Sequence, residues 1–253
     1  MRDFMKKWIC AVLLLCMCAG FVYGCGYGES PLEGDASFVY VDRKGRIRSL
    51  DVEELGESFY DVQELETFIN DAVDEYTEVH GSNSVTVQGL TVEDGRAMLS
   101  MQYQSAEDYA NLFNVEFFSG ELLAALEAGY VFDGEFARVE EGQVVGAATK
   151  QEIYAEEGLK VVIIRANTDV QIDGSICYVS CENVKLEGPG RVSIREGYQL
   201  DNGAAATEAI PGAGDNGGTE EADSGSTGNA QAAGSVALDT VQESDVYTFI
   251  VYR

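Results

Sequence analysis

The sequence has a single histidine, His80, among 253 residues, and this scarcity excludes a metal centre built from several histidines. A Ser-His-Asp arrangement could use only His80, but the chain carries no GxSxG or SxxK motif to supply the nucleophile. HExxH, the phosphate-binding glycine-rich loop and the dinucleotide fingerprint are missing as well. His80 stands at the end of a predicted helix, where the helix dipole stabilises a cation, so we interpret it as structural. We therefore predict no catalytic residue, no metal ligand and no cofactor.

Basic residues are also scarce, since 16 Lys or Arg face 44 Asp or Glu and the formal net charge is −28. Such a charge repels the phosphates of nucleic acids and anionic lipid headgroups, which argues against a nucleic acid partner. The stretch "DNGGTEEAD" offers oxygen ligands without EF-hand spacing, so we interpret it as solvated charge rather than a calcium site. Because Trp8 is the only tryptophan and lies near the N-terminus, an exposed sugar platform would have to use Tyr or Phe.

Only two cysteines remain for the body of the protein, because four of the six lie within the first 25 residues. Cys177 and Cys181 occur in "ICYVSC", which is typical of one extended strand. At the usual rise of a strand their Cα atoms would be about 13 Å apart, beyond the roughly 7 Å limit for a disulfide. We predict two half-buried thiols on one face of the strand, with a redox pair as the alternative.

The N-terminus has the order of a secretory signal peptide. Arg2, Lys6 and Lys7 form a basic head, and fifteen uncharged residues follow from Trp8 to Val22. That apolar run is too short to cross a bilayer comfortably as a helix. We therefore predict a signal peptide over residues 1–24 and leave it out of the fold.

The end of this run, Val22-Tyr23-Gly24-Cys25, resembles the lipobox of bacterial lipoproteins. The resemblance implies that Cys25 carries a diacylglyceryl group and becomes the new N-terminus, which is often acylated as well. Two or three buried chains make a stable anchor, since each buried methylene contributes roughly 0.8 kcal/mol. The resemblance also implies a lipid-anchored protein on the extracytoplasmic face of the cell membrane. Residues 25–36 are rich in Gly and polar residues, so we predict a flexible tether.

Alternating apolar residues predict two β-hairpins early in the chain. The first spans Phe38 to Leu50, with its turn at Asp42 to Gly45, and the second turns at Asp94-Gly95. Between them, apolar residues at spacings of three and four predict an amphipathic helix over about 62–79. Asp61 is placed to cap that helix.

Two short helices should follow, from Ser105 to Leu112 and from about Ser119 to Ala128. The C-terminal half is then rich in predicted strands, one at 136–148 and several more up to Ile194. The stretch 199–245 is acidic and rich in Gly and Ala, so we predict a disordered internal loop. The closing "VYTFIVYR" has strong strand character, and we expect it to return and pair near residues 191–195.

These elements predict an α+β fold in a single domain over residues 37–253. An antiparallel or mixed sheet would be packed by the long amphipathic helix at about 62–79 and by the two short helices. Roughly 165 residues remain when tether and loop are subtracted, which is enough for one hydrophobic core.

The sequence determines function less well than location. Aromatic residues cluster around the short helices, where a ligand-binding face competes with the simpler interpretation of core packing. They are Tyr103, Tyr109, Phe113, Phe117, Phe118 and Tyr130. Because catalytic motifs are missing, we predict a non-enzymatic accessory or binding protein at the cell surface, with a protein or a glycan as partner.

Two alternatives stay open at this point. One is an extracytoplasmic hydrolase of glycans or cell wall that uses paired carboxylates, which 43 acids after residue 24 could supply. The other is a solute-capture protein of a transporter, for which roughly 165 ordered residues are few if two lobes must close on a ligand.

Overall fold

The structure is a computed structural model and describes residues 30–55, 62–203 and 241–253. The predicted signal peptide, the lipidation residue Cys25, the first part of the tether, the cap Asp61 and most of the 199–245 loop lie outside the described residues. Within the described ranges, no helix is both long and apolar enough to cross a membrane.

Thirteen strands and four helices occupy the described residues. The strands are β1 Phe38–Val41, β2 Ile47–Glu54, β3 Val85–Glu93, β4 Arg96–Tyr103, β5 Phe117–Glu121, β6 Phe136–Glu140, β7 Gln143–Ala148, β8 Lys160–Ala166, β9 Asp169–Ile172, β10 Ile176–Ser180, β11 Glu182–Gly188, β12 Arg191–Gln199 and β13 Glu243–Tyr252. The helices are α1 Val62–His80, α2 Ala106–Phe113, α3 Leu122–Glu127 and α4 Lys150–Ala155.

The strands form two sheets. The first has seven strands in the order β11-β12-β9-β1-β2-β4-β3, and the second has six in the order β5-β8-β13-β10-β6-β7. Neighbouring strands are antiparallel throughout, except that β1 and β9 run parallel. The chain changes sheet five times, after β4, β8, β9, β10 and β12.

The predicted fold class, one sheet packed by one long helix, is wrong. The two sheets stack on each other instead, and both contribute side chains to the larger of two hydrophobic cores. Strand β8 shows why a second layer is needed, since Val162 and Ile164 face this larger core while Val161 and Ile163 face a smaller one. A strand that is apolar on both faces must be covered on both faces. The sequence of the strand requires this second cover but does not specify that it is another sheet.

Helix α1 does form at the predicted place, but it is not the main cover of a sheet. Its buried residues are Ile69, Ala72, Val73 and Tyr76, and it packs chiefly against β3, the edge strand of the seven-stranded sheet. Phe68 on the same helix stays 52 % exposed. The smaller core, on the outer face of the six-stranded sheet, is closed by α3 and α4.

The final strand is found where predicted in the sequence but not in its predicted pairing. Strand β13 lies between β8 and β10 in the six-stranded sheet, and the expectation that it pairs near residues 191–195 is wrong. Both sides of β12 are already occupied, by β11 and β9. The last residues of β13 are buried in an unbroken run, which requires a central position with both faces covered.

The two early hairpins are confirmed, with β1 pairing β2 and β3 pairing β4 around Asp94-Gly95. The first short helix is confirmed as α2, where Ser105 Oγ accepts from the Asp108 amide at 3.1 Å. The predicted helix at 119–128 is wrong in its first part, because Phe117–Glu121 pairs with β8 as a strand. The single strand predicted at 136–148 is in fact a hairpin of two.

The prediction that both thiols share one strand face is also wrong. Strand β10 has a bulge between Ile176 and Tyr178, and the extra residue changes which face the following side chains occupy. Cys177 is half-buried against the smaller core, whereas Cys181 is 1 % exposed and belongs to the larger one. Burial raises the pKa of both thiols, that of Cys181 to about 11, so neither is a reactive thiolate at neutral pH.

Candidate functional site

The aromatic cluster predicted from the sequence serves mainly as core. Tyr103, Tyr109, Phe113 and Phe117 are all buried, and neighbouring ring centroids lie 4.9–6.1 Å apart. Such tilted and edge-on pairs are typical of packed interiors. Phe118 and Tyr130 are partly buried at the margin of the smaller core, with centroids 5.4 Å apart. The interpretation as packing is therefore supported over that of a ligand face.

His80 lies in the last turn of α1, where its ring stacks on Tyr76 with centroids 4.2 Å apart. This contact explains the residue structurally. Among the described residues, no group of three or more His, Cys, Asp or Glu side chains is arranged to hold a metal ion.

Two carboxylates in the described part of the chain are almost fully buried, and both are neutralised locally. Although burial favours the neutral form of Asp42, hydrogen bonds from Arg46 and Lys44 hold its pKa below the ordinary value. Asp169 accepts from Arg191 at 2.9 Å and lies 3.1 Å from a guanidinium nitrogen of Arg195. They are counter-ions of nearby arginines, so they do not form the pair that glycoside cleavage requires.

A concave surface lies where several strand turns meet, and we call it the basic groove. It has a volume of about 770 Å³ and is open to solvent. Its lining residues are Tyr40, Arg43, Gln171, Ile172, Asp173, Gly174, Ser175, Glu187, Gly188, Pro189, Gly190, Arg191 and Arg253. They come from the ends of β1 and β9, from the turns after β9 and β11, and from the C-terminus.

Backbone hydrogen bonds hold the floor of the groove. Ser175 and Arg253 exchange two bonds of 2.9 and 3.1 Å, and the Ile176 amide donates to the carbonyl of Pro189 at 2.7 Å. Gly190 packs so closely that a Cβ there would stand 2.5 Å from the carbonyl oxygen of Ile172. The turns are thus fixed against one another before any ligand arrives.

Three arginines and two acids line the basic groove. Arg43 Nε donates to Asp173 Oδ1 at 3.1 Å, and Arg191 Nε lies 3.6 Å from Glu187 Oε2. Arg253 is paired with Glu156 beyond the lining. Arg43 nevertheless remains 79 % exposed, so most of its guanidinium can meet a ligand.

Further cations and one aromatic ring surround these arginines. The guanidinium of Arg48 lies 4.9 Å from the centre of the Tyr40 ring, and Lys160 Nζ donates to the carbonyl of Arg43 at 3.1 Å. Burial, followed by the nearby charge of Asp173, raises the pKa of Tyr40, so its hydroxyl is a hydrogen-bond donor at neutral pH. Five of the 13 basic residues after residue 24 therefore lie in or beside one groove of a strongly acidic chain.

Sequence reasoning missed the groove, although one signal was present. The stretch "DRKGRIR" carries four bases in seven residues, in a chain with very few. It was interpreted only as a hairpin turn. Arg191 and Arg253 could not be added to it from the sequence, because they are brought there by strands of two different sheets.

Comparison of the chain with protein-family models, with curated protein sequences and with solved structures gives no match.

Proposed function

We propose that the protein is a non-enzymatic, lipid-anchored binding protein of the extracytoplasmic membrane face, and that its basic groove binds an anionic surface polymer. The shared chemistry of the ligand is a row of carboxylates or phosphates. One observation carries the proposal, namely the gathering of Arg43, Arg191 and Arg253 in one open groove of a chain with a net charge of −28. The groove has three arginines against two acids, and a concave surface with an excess of one sign of charge concentrates ligands of the opposite sign.

The chemistry of the groove suits binding. Arginine presents a planar fork of donors that matches carboxylate and phosphate oxygens. The ring of Tyr40 adds a flat wall, and its hydroxyl can donate to an anion. Since the acids Asp173 and Glu187 already balance part of the positive charge, we expect moderate and salt-sensitive affinity.

The hydrolase alternative receives no specific support. Both carboxylates of the groove contact basic side chains, whereas an acid and a nucleophile need environments that separate their protonation. The solute-capture alternative is no better supported. The two hydrophobic cores lie on opposite faces of the six-stranded sheet and are not the centres of two separate lobes.

Fluorescence anisotropy with labelled oligomers tests the groove. We expect hexaglutamate or a linear polyphosphate of similar length to bind, hexaglutamine not to bind, and affinity to fall as salt rises. The two anionic probes distinguish the carboxylate from the phosphate form of the proposal. An equal rise in anisotropy with the neutral and the anionic oligomers would overturn the proposal.

A pair of variants localises the site. The double variant Arg43→Ala, Arg253→Ala should bind the anionic probe at least about tenfold more weakly, because two charged hydrogen-bond donors are removed. Lys150→Ala removes an exposed cation that is paired with Asp133 outside the groove, so it should leave binding unchanged. If both variants weaken binding equally, the effect comes from net charge and not from the groove.

The anchor is tested separately by Cys25→Ala and membrane fractionation. We expect the natural chain in the membrane pellet, from which only detergent extracts it. The variant lacks the lipid, so the membrane pellet should not retain it. Metabolic labelling with a fatty acid should mark the natural chain alone. Label on the variant, or membrane retention of the variant through an uncleaved segment, would contradict lipidation at Cys25.

A further inference from the structure

A second cavity lies under helix α1, and we call it the Asp51 pocket. It has a volume of about 220 Å³ and opens between the helix and the end of the seven-stranded sheet. Its walls are Asp51, Glu53, Leu55, Leu65, Phe68, Ile69, Leu90, Ala97, Leu99, Met101 and Phe113. Among the described residues of the lining there is no base, and the polar side chains are the two acids.

Strand register explains why an acid faces this apolar space. Ile47, Ser49 and Asp51 alternate along β2 and share one face, and Asp51 stands opposite Leu99 of β4. Leu99 in turn stands opposite Leu90 of β3. Asp51 is therefore placed at the inner end of a hydrophobic wall, where it is half-buried.

A short polar chain holds the Asp51 carboxylate in place. Ser49 Oγ donates to Asp51 Oδ2 at 2.8 Å, and Ser49 Oγ also lies 2.8 Å from the hydroxyl of Tyr103. Tyr109 is 1 % exposed, its hydroxyl has no hydrogen-bond partner in the described residues, and the charge of Asp51 acts on it. The Asp51 carboxylate is thus a positioned acceptor in the wall of a cavity that, apart from Glu53, is apolar.

We propose that the Asp51 pocket binds a small primary ammonium ion with an apolar body, its ammonium on Asp51 and its body against Leu99, Met101 and Phe113. The site and its ligand class are independent of the basic groove. An engineered cavity of about 150 Å³ is known to hold benzene, so this volume suits a phenyl ring with a short amine chain. The two acids and the missing base favour a cation over a neutral molecule or an anion.

The state of Asp51 without a ligand agrees with this assignment. Burial raises the pKa of Asp51 to about 7. The Ser49 hydrogen bond opposes this rise, and the charge of Glu53 adds to it. Within the part of the lining that the structure describes, no cationic side chain compensates the charge of Asp51. An ammonium ion would supply the missing counter-charge, while Phe68, 52 % exposed at the rim, offers an apolar surface to the entering ligand.

The test uses methionine methyl NMR on the full chain. The full chain has five methionines: Met1, Met5 and Met17 lie before residue 24, Met101 lines the pocket, and Met98 faces a different depression beside Pro31. We expect 2-phenylethylammonium to shift the Met101 methyl resonance in a saturable manner and to leave Met98 in place. Met98→Leu and Met101→Leu variants assign these two signals among the five.

Ligands of similar shape and different charge test whether the pocket recognises a cation. 2-Phenylethanol keeps the shape without the cation, and phenylpropionate reverses the charge, so we expect both to bind at least about tenfold more weakly than the amine. Equal binding of the amine and the alcohol would show an apolar cavity without cation recognition. Saturable shifts of Met98 together with Met101, or no shift with any probe, would also overturn the proposal.

A pair of variants supports the ligand series. Asp51→Asn keeps the size of the side chain and its hydrogen bond to Ser49 but removes the charge. The affinity for the amine should therefore fall at least about tenfold, and the affinity for the alcohol should not change. Glu54→Gln is the matched control, since Glu54 is exposed on the same strand and does not line the pocket. Unchanged amine affinity in Asp51→Asn would exclude the proposed contact.

Discussion

The basic groove and the Asp51 pocket place charge in opposite settings. In the groove, arginines stand in an open surface of turns and are partly balanced by Asp173 and Glu187. In the pocket, the carboxylates of Asp51 and Glu53 stand among apolar side chains, and no described residue of the lining is a base. Exposed charges are screened by water and salt, whereas a charge against apolar walls is not. A single acid in the pocket should therefore affect the protein more than a single arginine in the groove.

The largest expected effect concerns the floor of the groove and would test whether the groove is truly rigid. Gly190→Ala puts a methyl group 2.5 Å from the carbonyl oxygen of Ile172, so backbone must move. We expect a loss of about 2 to 3 kcal/mol in the free energy of unfolding, measured by urea denaturation.

Gly120→Ala is the control for this substitution. The nearest obstacle to its Cβ is the ring of Phe118 at 3.1 Å, and a side chain can yield where a backbone cannot. The control should therefore lose less than about 1 kcal/mol. Equal losses in the two variants would indicate that the turns of the groove are no more constrained than an ordinary strand.

The pocket should reveal itself through the pH dependence of stability. The pKa of Asp51 is about 7 in the folded chain and 3.8 as an ordinary carboxyl group. Between these values the folded state keeps a proton that the unfolded state has lost. The associated stability is therefore fully present below about pH 4 and is lost as the pH rises through about 7.

Asp51→Asn removes this titration, so its stability should change less than that of the natural chain between about pH 5 and pH 8. At about pH 8 the variant should be the more stable protein, by on the order of 2 kcal/mol. Glu53, Tyr103 and Tyr109 also face Asp51, and they remain in both proteins. Parallel curves for variant and natural chain, measured by thermal unfolding across this pH range, would contradict a strained carboxylate at position 51.

The smallest expected effect is that of Arg43→Ala on stability, and it sharpens the contrast with Asp51. Because Arg43 is 79 % exposed and its partner Asp173 is 41 % exposed, the free energy of unfolding should change by less than about 0.5 kcal/mol. Affinity for hexaglutamate should nevertheless fall. A large loss of stability would mean that Arg43 serves the fold rather than the ligand.

Much of the local structure could be predicted from the sequence. The alternation around Asp94-Gly95 identified the second hairpin, the spacing from Val62 onward identified α1, and Ser105 identified the start of α2. These features depend on contacts between residues close in the chain. The bulge in β10 had no comparable signal, and it alone separates Cys177 from Cys181 onto opposite faces.

The candidate sites could be predicted less well from the sequence. A cluster of bases was visible at Arg43 and its neighbours, but Arg253 reaches the groove only because β13 enters the second sheet. Asp51 on a strand face with Ile47 and Ser49 was a visible anomaly of alternation, yet nothing in the sequence showed that α1 leaves a cavity above it.

By itself, the sequence determined the two early hairpins, the helices α1 and α2 and the excess of negative charge, and it predicted a lipid anchor at Cys25. These follow from local backbone preferences, from composition and from a short motif. Only the tertiary structure decided that two sheets share the core, that β13 lies between β8 and β10, and that arginines from distant segments meet in one groove. The physical reason is that apolar burial is not directional. A strand with two apolar faces requires two covers, and the sequence of that strand does not specify which parts of the chain supply them.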